Sequence, residues 1–214
     1  MATAIDPASW LTARRVRIHG LLLAVCLWTV YAVDMSTPGL RDRNGLLKGT
    51  DFLHFYTLGS LALQGRGDLL YEMRAQSLLA QKLVPEAAGS SYVPLYGPQV
   101  SLFFAPFATL SYGWALTAWL ALNVLIYGLC CYAVWKMCAN LQSERWTVLI
   151  LAIAFPGFFH LLAWGQTSGL ALACFTLAYL ALQRDRPLIA GLAIGFLIFK
   201  PQLGLAAAVI FLLA

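Results

Sequence analysis

The hexapeptide Asp51-Phe52-Leu53-His54-Phe55-Tyr56 sets an acid and an imidazole one helical turn apart among aromatic rings. A carboxylate in partly apolar surroundings holds its proton more tightly than an exposed one, which brings it toward the basicity needed to accept a proton from a hydroxyl. Phe52, Phe55 and Tyr56 would form the walls of such a site. The competing reading is structural: Thr50 caps a helix, and an acid in its first turn complements the positive dipole end, worth about 0.3–1 kcal/mol. A lone histidine beside rings more often packs than reacts. No second acid stands two residues from Asp51, so the Asp-x-Asp spacing that holds a divalent metal is absent. Neither a metal site nor a cofactor is expected.

Three other places carry polar chemistry. Gly165-Gln166-Thr167-Ser168-Gly169 is a flexible polar patch between apolar runs, and the Gln166 amide can both donate to and accept from hydroxyls. Its plain alternative is a helix-helix turn. Lys200 follows the 13-residue apolar run "PLIAGLAIGFLIF" and precedes Pro201. An ionisable residue so placed is a functional candidate with a lipid phosphate as its partner, and snorkelling to the interface is the alternative. Tyr92, Pro94, Tyr96 and Pro98 return rings and rigid turns to the membrane surface, where they can anchor the belt or stack on a ligand.

The elements that must position these residues belong to a membrane. Of 214 residues, 61% are hydrophobic and 11% charged, about half the charged share of an ordinary soluble domain. The charges fall mostly at Arg14 to Arg17, from Arg41 to Glu86, from Lys136 to Arg145, and at Arg184 to Arg186, with long uncharged runs between. A net charge of +5 confined to short loops speaks to membrane orientation and anionic lipid, and no basic patch with interleaved aromatics suggests nucleic acid. The five cysteines lack CxxC spacing and read as small hydrophobes.

Spans are expected at Ile18 to Val33, Gly113 to Trp135, Trp146 to Trp164, Gly169 to Leu182 and Pro187 to Phe199, as helices, because a backbone in hydrocarbon must bond to itself. The first reads as an uncleaved span, with residues 1–17 in the cytoplasm. The run from Pro201 stops after 14 residues, short of the roughly 20 that a span needs, so a continuation beyond it is expected. Met35 to Gly97 reads as an extracytoplasmic loop carrying two short amphipathic helices, Thr50 to Leu63 and Leu70 to Leu83. Gln166 and Lys200 are separated by one hairpin and share a face. Placing the Arg184 and Arg186 pair in the cytoplasm puts Gln166 and Lys200 outside with Asp51, provided that Val93 to Leu110, broken by three prolines, does not cross fully; simple alternation of spans gives the reverse.

The chain resembles the membrane glycosyltransferases of the GT-C class, and specifically glycosyltransferase family 87, the polyprenol-phosphate-mannose-dependent mannosyltransferase-like proteins. The resemblance rests on "DFLHFY" with "GRGDLLY" behind it, on "YGPQVSLFFAPFATLSYGWALTAW", and on "GQTSGLALACFTLAYLALQRDRPLIAGLAIGFLIFKPQLGL". It implies an all-α polytopic bundle, residues 18–214, with the extracytoplasmic loop of residues 35–97. It also implies an inverting hexose transfer, of mannose, from a polyprenyl-phosphate donor to a glycan or glycolipid acceptor on the outer face of a bacterial-type cytoplasmic membrane. Asp51 would be the general base, with His54, Tyr56, Tyr96, Gln166, Ser168 and Lys200 contacting substrate. Ser168 stands where the family's GQ-x-N pattern has asparagine. The alternative from a different class is a non-catalytic multi-span lipid-binding or transport protein.

Overall fold

Apolar runs become helices wherever the sequence lets them continue, and most of the breaks fall at or near a proline or glycine. The computed structural model describes residues 11–213. Residues 1–10 of the expected cytoplasmic segment lie outside these, while Ala13 to Arg17 form the opening turns of the first helix, α1 (Ala13–Met35). Among the described residues there is no strand, only an isolated bridge between Arg41 and Leu47. After α1 come α2 (Thr50–Leu63), α3 (Met73–Leu83) and α4 (Pro98–Phe104), then α5 (Tyr112–Met137), the single turn α6 (Ala139–Gln142), α7 (Arg145–Ala154), α8 (Pro156–Trp164), α9 (Ser168–Leu182), α10 (Pro187–Gly195) and α11 (Pro201–Leu213).

α1 and α5 are long and apolar enough to cross a membrane, and α7 with α8 forms a third candidate bent by 45°. The bend sits at Phe155, whose backbone is extended because the residue before a proline is pushed out of the helical region. α9 and α10 are apolar but shorter. Lys200 occupies the break between Phe199 and Pro201 for the same reason as Phe155, with φ −131° and ψ 75°.

The packing fixes which ends coincide. Gly20 of α1 lies against Ile150 and Leu151 of α7, the Trp28 indole donates to Ile153 O at 3.0 Å, and Tyr31 meets Phe159 edge to face. Tyr127 of α5 donates to Ala152 O at 2.8 Å and stacks on Phe158. α9 runs alongside α5, starting with Gly169 against Asn123, and α10 returns along α9 through Ala178, Ala181 and Ala190. Arg14, Arg15, Arg17, Lys136, Arg145, Arg184 and Arg186 therefore share one end of the bundle, and α2, Gln166 and Lys200 share the other. Val93 to Leu110 does not cross: α4 and the 3-10 turn Phe107–Thr109 fold onto α2 instead.

One expectation is corrected. α2 has the expected bounds but is not an amphipathic helix lying in an interface. Every residue from Phe52 to Leu61 is buried, enclosed by α3, α4, α5 and α8. Its polar members do not mark an exposed face: Thr57 satisfies its own hydroxyl on Leu53 O at 2.8 Å. Gly59 lets α4 come close, since a Cβ there would lie 2.5 Å from Phe104 O. The second expected helix starts at Met73, after a 3-10 turn at Gly67–Leu69.

Candidate active site

The first turn of α2 is held by hydroxyls from elsewhere in the chain. Tyr112 Oη donates to Lys48 O at 2.8 Å and Gly49 O at 3.0 Å, and Tyr92 Oη donates to Thr50 O. Thr50 does not cap the helix. Gly49 is the N-cap, without a side-chain bond, and the Thr50 hydroxyl donates to Leu47 O at 2.9 Å. Asp51 is thus left in the first turn, half-buried, with its carboxylate turned outward from α2.

Its partner arrives from the turn after α8. Gly165 adopts φ 69°, which glycine reaches without penalty, and this lets the Gln166 N–H return to Leu161 O at 3.1 Å and end the helix. A Cβ at Gly165 would sit 2.7 Å from Phe52 Cβ, and the Trp119 indole donates to Gly165 O at 2.9 Å. So fixed, Gln166 donates its amide N–H to Asp51 Oδ2. Two residues on, exposed Ser168 accepts from Lys200 Nζ at 3.0 Å. Asp51, Gln166, Ser168 and Lys200 therefore converge from three segments.

The electrostatics follow from the half-burial. Desolvation raises the Asp51 pKa above the ordinary carboxylate range, and the Lys200 charge pulls it partly back. Lys200 is moved the opposite way, downward by burial and upward by Asp51. His54 is pushed down to about 4 by burial, against a smaller upward pull from hydrogen bonding toward Gln76, so it is neutral at physiological pH. No partner of His54 Nε2 or Gln76 Oε1 meets hydrogen-bonding geometry, so the two face each other loosely.

A cavity of about 330 Å³ opens beside Asp51, with His54, Phe55, Tyr92, Tyr96 and Gln166 in its wall. His54 lies flat on Tyr92, ring centroids 4.9 Å apart, and edge-on to Tyr96 at 5.4 Å. Burial and the Asp51 charge both raise the Tyr92 and Tyr96 phenols, which stay protonated donors. Tyr56 does not belong here: it is 6% exposed, packed on Phe52 and Tyr112, and its hydroxyl is spent on Leu110 O at 2.8 Å. Phe52 is likewise core rather than wall. Sequence reasoning missed Trp119 and Tyr112, whose tethers are visible only once α5 lies beside α2.

A smaller apolar cavity of about 110 Å³, between α4 and Phe196, Ile198 and Phe199, ends one residue from Lys200. A separate apolar groove between α5 and α7 touches none of these residues. No three His, Cys, Asp or Glu among the described residues come together as a metal-holding group.

An all-helical bundle with apolar spans and a polar cluster at one end is the architecture of a membrane enzyme or carrier, and the comparison with known families decides between them. Residues 95–214, more than half of the chain, match the family model of glycosyltransferase family 87. The chain belongs to that family and is a membrane glycosyltransferase. Tyr96, Gln166, Ser168 and Lys200 fall inside the matched region, and Asp51 and His54 precede it. No curated protein and no solved structure matches the chain.

Proposed function

We propose that the protein transfers a hexose, mannose, from a polyprenyl-phosphate donor to a hydroxyl of a glycan or glycolipid, with inversion at the anomeric carbon. The observation that carries this reading is the convergence of Asp51, Gln166, Ser168 and Lys200 at one end of the bundle. Asp51 takes the proton of the acceptor hydroxyl as its oxygen bonds to C1. The C1–O bond to phosphate breaks, and its electron pair leaves with the lipid phosphate. That group departs as an anion, so it needs a cation more than a proton, and Lys200 is the cation whose charge is felt at Asp51. The apolar cavity ending beside Phe199 suits the first isoprene units of such a donor.

Gln166 holds the carboxylate in place, neutral His54 and Tyr92 offer a sugar ring faces, and Tyr96 offers a face and a hydroxyl. The bundle end remote from the site carries Arg14, Arg15, Arg17, Lys136, Arg145, Arg184 and Arg186 against Glu144 and Asp185. The positive-inside rule makes that end cytoplasmic, so the site faces outward across a bacterial-type cytoplasmic membrane. The test is transfer from a radiolabelled polyprenyl-phosphate mannose by the full-length protein, wild type against Asp51→Asn. The asparagine can still accept from Gln166 but cannot take a proton, so the rate should fall by about 10²–10⁴. Retention of most activity removes Asp51 from the role of base.

A further inference from the structure

Asp51 is bordered on two sides. Besides the cavity it shares with Tyr92, Tyr96 and Gln166, it lines a second one of about 350 Å³, enclosed by the end of α1, the loop of residues 36–49 and α8. The two differ in character. The second contains Asp34, Asp42 and Asn44 together with the rings of Tyr31 and Trp164.

The polar groups of the second cavity are held in place before any ligand arrives. The loop turns at Gly45 and closes through Asp42 N to Leu46 O at 2.8 Å. Asp42 Oδ1 accepts from the backbone N–H groups of Asn44 and Leu46, each at 2.9 Å, and Asn44 Nδ2 donates to Asp34 Oδ1 at 2.9 Å. One oxygen of each carboxylate is therefore committed. Asp34 Oδ2 and Asp42 Oδ2 meet no protein donor among the described residues and stay available as acceptors. Trp164, 51% exposed, presents a large apolar ring at the same cavity.

Carboxylate acceptors for hydroxyls beside an aromatic ring for C–H faces is the chemistry that recognises a neutral sugar. The charges also sort the substrates. Lys200 stands over Ser168, two residues past Gln166, whereas Trp164 lies two residues before it. A phosphate is drawn to the first side and repelled from the second by two carboxylates.

We propose that the cavity of Asp34, Asp42, Asn44, Tyr31 and Trp164 is the acceptor subsite, that it takes an uncharged sugar residue, and that Asp51 is reached by the acceptor hydroxyl from this side and by the donor from the other. The assignment of acceptor and donor rests on Asp51 being the base. The existence of a neutral-sugar site does not.

The test is equilibrium dialysis on the full-length protein in lipid nanodiscs carrying saturating sugar-free polyprenyl phosphate to occupy the Lys200 side, with tritiated hexyl α-D-mannopyranoside and its 6-phosphate as probes. Wild type should bind the neutral glycoside about tenfold more tightly than the phosphate, a difference of about 1.4 kcal/mol. Asp34→Asn combined with Asp42→Asn preserves the shape and the committed acceptors, and it should bring the two probes within about threefold of each other, or about 0.7 kcal/mol. Trp164→Leu should weaken the neutral probe about tenfold, and its ring is exposed enough that folding is not at stake. Equal or tighter binding of the phosphate by wild type, or an unchanged ratio in the double variant, overturns the proposal. So does unchanged affinity in Trp164→Leu. Should Asp51→Asn keep its transfer rate while these ratios behave as stated, the base assignment fails and the sugar site stands.

Discussion

His54 ties the stability of the site to pH in a way that can be worked out. Its folded pKa is lowered from 6.5 to about 4 by burial. A depressed histidine pKa means that the unfolded chain binds the proton first. The stabilisation is present in full above 6.5 and is lost as pH falls toward 4. At 1.36 kcal/mol per pH unit, that gap amounts to about 3 kcal/mol. The assay is chemical unfolding of the purified protein in micelles at fixed pH steps from 7.5 to 4, wild type against His54→Gln, which is neutral throughout. Other groups titrate alike in both proteins, so the difference between the curves isolates the imidazole. Wild type should lose about 3 kcal/mol relative to the variant across that window. Parallel curves would refute the claim that the ring is buried without a compensating partner. Because His54 lies flat on Tyr92, whose hydroxyl holds Thr50 O, the same acidification should loosen the wall of the cavity.

Other outcomes follow from single contacts. Lys200→Gln removes the charge that lowers the Asp51 pKa, so the acid limb of the transfer rate should move to higher pH, and a limb that stays put or moves lower dissociates the pair. Gly165→Ala forces a side chain into the left-handed region and against Phe52, and thermal unfolding should report a loss of about 2 kcal/mol or more together with lost transfer. Gly59→Ala pushes α4 off α2 at Phe104 O, costing about 1–3 kcal/mol by the same measurement, and unaltered stability would mean that the two helices separate freely.

The long apolar runs and their proline breaks made the helices legible, down to both bounds of α2. The common face of Gln166 and Lys200 was also readable, because it depends only on the parity of one hairpin. The environment of α2 was not. Phe52, Phe55, Tyr56, Gly59 and Leu63 mark one helical stripe, and His54, Thr57 and Ser60 look like the wet side. In the fold these polar residues are covered by later segments, His54 by Gln76 of α3 and by Tyr92 and Tyr96, and no local period records that cover. Tyr56 was misplaced for the same reason: its hydroxyl looks available until Leu110 is beside it. The loop of Asp34, Asp42 and Asn44 gave no signal because its order comes from hydrogen bonds across a turn rather than from any repeat.

The hydrogen bond between Asp51 and Gln166 spans 115 residues of chain. At about 5–20 residues per second of synthesis, the acid emerges from the ribosome roughly 6–23 s before its amide. Early in that interval α2 has neither α4 nor α5 to cover it, and α8 arrives only at its end, so the nascent protein first carries an uncovered apolar helix at the bilayer surface. Insertion of α8 then brings the amide to the acid, the hairpin of α9 and α10 brings Lys200, and a chain stalled short of either is membrane-bound but inert.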